Sequence, residues 1–148
     1  MANIALHVAD EHWANNRHLG VLVRYADDLV VLCPTRERAE VARRELDTIL
    51  EPVGLWLHPD KTSIVQLTRG EQGFDFLGFH HRMRESWKKP GRYYLHQWPS
   101  KRAMASIRAK VRQRTHRRYA STDLDIVVAN LNPVLRGWGA YFRHGNST

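Results

Sequence analysis

The stretch Val21–Cys33, V-L-V-R-Y-A-D-D-L-V-V-L-C, constrains the fold more than any other part of the chain. Two apolar runs, Val21–Val23 and Leu29–Leu32, flank a polar centre that holds the only adjacent Asp pair in the sequence. Apolar residues on both sides suit paired strands, and Ala26-Asp27-Asp28 is short enough to turn the chain between them. Hairpin turns of two residues favour Asn or Gly, which reach positive φ at little cost. Two acids at such a tip repel each other and lower stability unless a cation lies between them. Mg²⁺ is the natural candidate, because it takes hard oxygen ligands and often only one or two protein carboxylates. The alternative is a solvated turn that happens to be acidic.

Charge is distributed very unevenly. Residues 1–75 carry 8 basic and 12 acidic side chains, and residues 76–148 carry 15 basic and 3 acidic ones. An acidic half joined to a basic half suggests a catalytic part and a part that grips a polyanion. The whole chain has a formal charge of +8, with 18 Arg against 5 Lys, and the planar guanidinium suits phosphate oxygens and base stacking. No apolar run approaches the roughly 20 residues of a membrane span, and no secretory signal opens the chain. The single cysteine, Cys33, lies in an apolar run and reads as a buried thiol. Zinc-type Cys/His spacing, a Gly-rich phosphate loop and a Ser–His–Asp signal are all lacking, and the nine His are scattered.

Along the chain, residues 2–13 predict a helix with Ile4, Val8 and Trp13 as its apolar positions. Thr35–Leu50 predicts a second helix, started by Pro34 or Thr35, with a stripe of Ala39, Ala42, Leu46, Ile49 and Leu50. Its other face, bearing Arg36, Arg38, Arg43 and Arg44 among acids, reads as a solvated surface. A Pro59-Asp60 turn and a strand over Thr62–Leu67 come next, with Lys61 between them. Phe74–Phe79 and Arg92–Trp98 read as strands joined by a polar connection, Met83–Gly91, with a turn at Lys88–Gly91. Ser100 then caps a helix over Lys101–Arg118 whose apolar stripe is Met104, Ile107 and Val111. Lys101, Arg102, Arg108, Lys110, Arg112, Arg114, Arg117 and Arg118 cover that segment without one acid. A phosphate backbone is the expected partner. A short helix from Ser121 or Thr122 to Leu131 precedes a last one, Val134–Arg143, with Asn132-Pro133 as its start and Gly137 and Gly139 for close packing.

Tyr25-Ala26-Asp27-Asp28 resembles the YADD box of reverse transcriptases encoded by group II introns. Residues 2–13 resemble the end of the helix before that hairpin. Leu55–Thr62 resembles the next block, a Leu-x-Leu pair leading to Pro-x-Lys-Thr, and F-D-F-L-G-F resembles the strand called the primer grip. L-N-P-V-L-R-G-W-G-A-Y-F resembles the maturase-specific motif, which retroviral and retron enzymes do not share. The resemblance implies an α+β chain: residues 1–79 as the C-terminal part of a polymerase palm, and residues 80–148 as a basic helical thumb/maturase domain.

The resemblance also implies chemistry. Nucleotidyl transfer in the family uses two metals, so Asp27 and Asp28 are expected at a Mg²⁺ site, with Asp27 the ligand and Asp28 in support. Lys61 matches the place of a general acid near the departing pyrophosphate, although a surface lysine is the alternative. Tyr25, Leu77 and Gly78 are expected near the nucleotide or primer. Arg136 and Trp138 join the eight basic residues of 101–118 as expected RNA contacts. The family's earlier catalytic Asp, its fingers and its Gln-Gly box have no counterpart in this sequence. DNA synthesis is therefore expected to need an N-terminal reverse transcriptase segment supplied in trans. Expected partners are group II intron RNA and, in a complete enzyme, a primer-template, in a bacterial cytoplasm. An RNA-binding splicing factor with a vestigial palm is the other reading.

Overall fold

The computed structural model describes residues 6–145. They form two compact units, Met1–Gln66 and Leu67–Thr148, each mixing helices with an antiparallel sheet, so the α+β expectation holds. No helix among the described residues is long and apolar enough to cross a membrane.

The first unit contains α1 (His7–Asn15), β1 (Val21–Tyr25), β2 (Asp28–Leu32) and α2 (Arg36–Leu50). β1 and β2 pair antiparallel from Val21↔Leu32 to Tyr25↔Asp28. Directly opposed residues share a face, so Leu22, Arg24, Leu29 and Val31 point one way and Val21, Val23, Tyr25 and Leu32 the other. The first face lies on a core of Ala9, Trp13, Leu19, Ala42 and Leu46. Thr35 caps α2, accepting a hydrogen bond from the Arg38 amide at 3.3 Å, and Ala42, Leu46 and Leu50 are its buried residues. Cys33 is half-buried, donating to the Leu19 carbonyl at 3.2 Å, and burial pushes its thiol pKa up.

Two expectations fail in this unit. α1 buries Ala9 and Trp13, one turn apart, and leaves Val8 exposed; Ile4 lies outside the described residues. The Pro59-Asp60 turn forms, yet no strand follows over residues 62–67. Among the described residues β1 and β2 pair only with each other, and β-forming side chains such as Thr62 and Ile64 cannot hold a strand without a ladder.

The second unit is a meander, β3 (Gly73–Phe76), β4 (Phe79–Ser86) and β5 (Lys89–Pro99), followed by α3 (Lys101–Arg114) and α4 (Leu124–Phe142). Phe79 packs against Phe142 (4.8 Å between ring centres) and Tyr141 (5.7 Å), which seats α4 on one sheet face. α3 and α4 pack together around the buried Ile107 and Phe142. Ser100 is buried, and its hydroxyl caps α3 by accepting from the Ala103 amide at 3.2 Å. β3 belongs to the same sheet as β4 and β5, so packing divides the chain at Gln66 while the expected motif division stands at residues 79/80.

Several sequence expectations are corrected here. Phe74–Phe79 is not one strand: Leu77 (φ 49°) and Gly78 (φ 80°) turn the chain between β3 and β4. Positive φ at both positions is the type I′ requirement, met here by a Leu that the alternation had assigned to a strand. The polar connection over Met83–Gly91 is mostly strand, with Trp87–Lys88 as the turn, because β4 and β5 pair as far as Ser86↔Lys89. α3 stops at Arg114. The His116 ring then accepts from the Arg118 amide at 3.2 Å and starts a separate turn over Arg117–Tyr119.

The two helices expected on either side of Asn132-Pro133 are one continuous α4, capped by the Asp123 carboxylate and carrying Pro133 in its interior. Val127, Leu131, Val134, Trp138 and Phe142 make an unbroken inward stripe across that proline, whereas Leu135 is exposed. Burial along the stripe outweighs the local cost. Gly137 and Gly139 do not allow close packing, since a Cβ on either would meet only open space.

Pro133 is exposed, removes one i→i−4 bond and crowds the Ala129 carbonyl. Pro133→Ala is expected to raise the unfolding free energy by on the order of 1–3 kcal/mol, measured by urea denaturation. An unchanged or lower value would mean that neighbouring packing requires the bend.

Candidate functional site

The hairpin tip is a two-residue turn, Ala26–Asp27, closed by the Tyr25↔Asp28 pair. Ala26 sits at φ 54°, a conformation that costs an L-residue roughly 1–2 kcal/mol and that Gly would adopt more easily. Asp27 and Asp28 are both exposed at this tip, as is Tyr25.

Arg24 fixes the turn. Its side chain is only 16% exposed on the helix-facing side of β1. Its Nε donates to Asp10 Oδ1 at 2.9 Å, its Nη2 pairs with Asp10 Oδ2, and its Nη1 donates to the Ala26 carbonyl at 2.8 Å. The fork thus ties helix α1 to the tip through three contacts, a geometry that suits Arg and not Lys. The hydrogen bonds from Arg24 hold the Asp10 carboxyl below its usual pKa, and Asp10 in turn raises that of Arg24. Sequence reasoning missed this pair. The available signal was a cation at an inward position of an apolar strand, which demands a buried partner.

Two adjacent exposed carboxylates fit a Mg²⁺ ion held by one or two protein oxygens, with the remaining positions left to water and phosphate. Among the described residues no group of three or more His, Cys, Asp or Glu side chains converges on a metal position. Lys61 lies exposed just after the Pro59-Asp60 turn, its amide donating to the His58 carbonyl at 3.1 Å. No hydrogen bond or ion pair among the described residues joins Lys61 to either aspartate.

In the second unit, Leu77 and Gly78 anchor the sheet to α4 and to the cap of α3. The Tyr141 hydroxyl donates to the Leu77 carbonyl at 2.8 Å, and the Ser100 amide donates to the Gly78 carbonyl at 2.8 Å. A Cβ on Gly78 would lie 3.5 Å from the Phe142 ring. Lys101, Arg102, Arg108, Lys110 and Arg112 are exposed on α3, and Arg117 and Arg118 on the turn beyond it. Arg114 is half-buried and lines the α3–α4 seam with Lys110, where its Nη1 donates to the Lys110 carbonyl at 3.4 Å. Arg136 is exposed on α4, while Trp138 turns into the seam and packs on Phe142 at 4.7 Å. The cationic surface is therefore α3 with its adjoining turn, and Trp138 serves the packing beneath it.

Comparison with known families finds two matches. Residues 1–81 match the family described as reverse transcriptase (RNA-dependent DNA polymerase), and residues 104–148 match the group II intron, maturase-specific domain. A search of curated protein sequences gives no significant match.

The Asp10–Arg24 pair gives a pH test. Its carboxylate has a depressed pKa in the folded chain, so its contribution is present above the ordinary carboxylate range and is lost as pH falls through and below it. Asp10→Asn is expected to lower the urea midpoint at pH 7, and the gap between the two proteins should narrow as pH falls below the ordinary carboxylate range. Parallel curves at all pH values would show that the carboxylate charge contributes nothing.

Proposed function

We propose, taking as premise that the chain belongs to the reverse transcriptase (RNA-dependent DNA polymerase) family and carries a group II intron maturase-specific domain, that its second unit grips intron RNA while its first supplies carboxylates for DNA synthesis. The observation that carries this reading is the acid-free, outward-facing cationic surface of α3 and the Arg117–Tyr119 turn, overlapping the maturase-specific match. Cations at that density release counterions from a phosphate backbone, and Arg forks hold phosphate oxygens in pairs.

In the first unit, Asp27 and Asp28 would hold Mg²⁺, with Asp27 at the turn as the principal ligand. Bound there, Mg²⁺ would activate a primer hydroxyl and neutralise charge on a triphosphate. Arg24 braces the backbone of the tip through the Ala26 carbonyl, next to the residue assigned as principal ligand. Lys61 is assigned the protonation of departing pyrophosphate, and Tyr25, Leu77 and Gly78 are assigned contacts to nucleotide or primer. The Leu77 and Gly78 carbonyls already accept bonds from Tyr141 and Ser100, which favours contact through the turn's outer surface.

A two-metal centre needs a further carboxylate, and we assign it to an N-terminal reverse transcriptase segment that docks on the hairpin. Val21, Val23, Tyr25 and Leu32 support this, because they form one face and are 43–66% exposed. An exposed apolar face on a two-stranded sheet is a surface that wants a partner.

Two measurements test the proposal. Affinity for intron RNA is expected to fall steeply between 50 and 200 mM salt, by on the order of a thousandfold if about six phosphates are neutralised. Replacing the exposed Arg108, Arg112 and Arg117 together with Gln should flatten the slope by about two to three units, since each lost contact removes about one. A slope unmoved by the triple variant would make the surface merely solvated.

DNA synthesis is expected only when the N-terminal segment is added, and Asp27→Ala should abolish it. Synthesis by the chain alone, lost on Asp27→Ala, would remove the need for a partner. Failure of complementation with RNA binding intact would favour a splicing factor with a vestigial palm.

A further inference from the structure

One face of the β3–β5 sheet carries Phe79 and Gln97 and packs on α4, Gln97 Nε2 donating to the His144 carbonyl at 2.9 Å. The opposite face has a different chemistry. The register pairs His80 with Trp98, Arg82 with His96, and Arg84 with Tyr94, and strand alternation places all six on that side. The His80 and Trp98 ring centres lie 4.9 Å apart, and the Arg84 guanidinium lies 5.9 Å from the Trp98 ring. Tyr94 is 47% exposed. At the β4–β5 turn Trp87 is 87% exposed, with the Lys88 ammonium 5.1 Å from its ring. Arg82 is engaged with the Gly70 carbonyl at 2.6 Å, which leaves Arg84 and Lys88 as the cations beside the rings. Asp75, the carboxylate of this face, is taken up by His80 at 2.6 Å.

Aromatic rings alternating with cations are what unpaired bases require, and on this face Arg84 and Tyr94 are exposed and Trp98 is half-buried. Each base offers a π-face for stacking, and the intervening phosphates meet the cations. A duplex hides its base faces and would touch only the cations. Residues 76–148 carry 15 basic and 3 acidic side chains, so a polyanion is the complementary occupant. We propose that this face binds single-stranded RNA, with bases stacked on Trp98 and Tyr94 and phosphates beside Arg84 and Lys88. The proposal rests on the RNA-binding reading above and adds where, and in which form, an unpaired segment is held. Tyr93, paired with Glu85, lies on the α4-facing side of the strand and has no part in this face.

The test uses the full chain, a labelled oligouridylate of about 12 nucleotides and an RNA duplex of about 16 base pairs, at one salt concentration. Tyr94→Thr, a substitution that strands accept, is expected to weaken the single strand about tenfold. Tyr94→Thr with Trp98→Leu should weaken it about a hundredfold, and both proteins should keep duplex affinity within about twofold. If the double variant loses its circular dichroism spectrum, Tyr94→Thr decides alone, because that ring is half exposed. Unchanged single-strand affinity, or equal loss on both RNAs, overturns the platform. The Arg108/Arg112/Arg117 variant distinguishes the two failures. If it weakens both RNAs while Tyr94→Thr does nothing, only the platform falls. If neither protein differs from wild type on either RNA, the RNA-binding reading falls with it.

Discussion

Side chains alternate across a strand, and each unit of this chain uses that alternation to give its sheet two unlike faces. In the first unit Leu22, Leu29 and Val31 lie on the helical core, and Val21, Val23, Tyr25 and Leu32 are left outward. In the second, Phe79 and Gln97 face α4, and Arg84, Tyr94 and Trp98 face away. A one-residue slip in either register would exchange the faces and bury cations or carboxylates, so the pairing is strongly determined. The chemistry offered outward comes from the same rule that builds the core. It is apolar and acidic at the tip in one unit, aromatic and basic in the other.

Arg24 is the exception to that rule. It points inward among apolar neighbours, and its position is sustained because Asp10 neutralises it and the Ala26 carbonyl takes a further N–H. Loss of either partner would leave a half-buried guanidinium with fewer hydrogen-bond acceptors. The turn that presents Asp27 and Asp28 is thus held from behind, by a group that touches neither carboxylate.

Local chemistry made much of the chain legible in its sequence. Thr35 and Ser100 cap their helices as their types suggest, the Val21–Leu32 hairpin forms, and the two aspartates stand at its tip. The features that were not legible depend on partners distant in sequence. Leu77 adopts positive φ because its carbonyl is met by Tyr141 and the next residue lies against Phe142, contacts that no window around Leu77 reveals. Pro133 looks like a helix start from its neighbours alone; the stripe from Val127 to Phe142 overrides it. Residues 62–67 have strand composition without a strand to pair with. Arg24 stands at an inward position of an apolar strand and so calls for a partner, but that partner, Asp10, lies fourteen residues away.

Ala26 shows how backbone conformation narrows the alphabet available to a position. At φ 54° a β-branched side chain would be severely strained, while Gly, Asn or Asp would be admitted readily. Variation at this site is filtered by the turn before it can be filtered by chemistry. A residue between a tyrosine and an aspartate invites interpretation through substrate contact, yet its tolerance would first report how far the hairpin can bend.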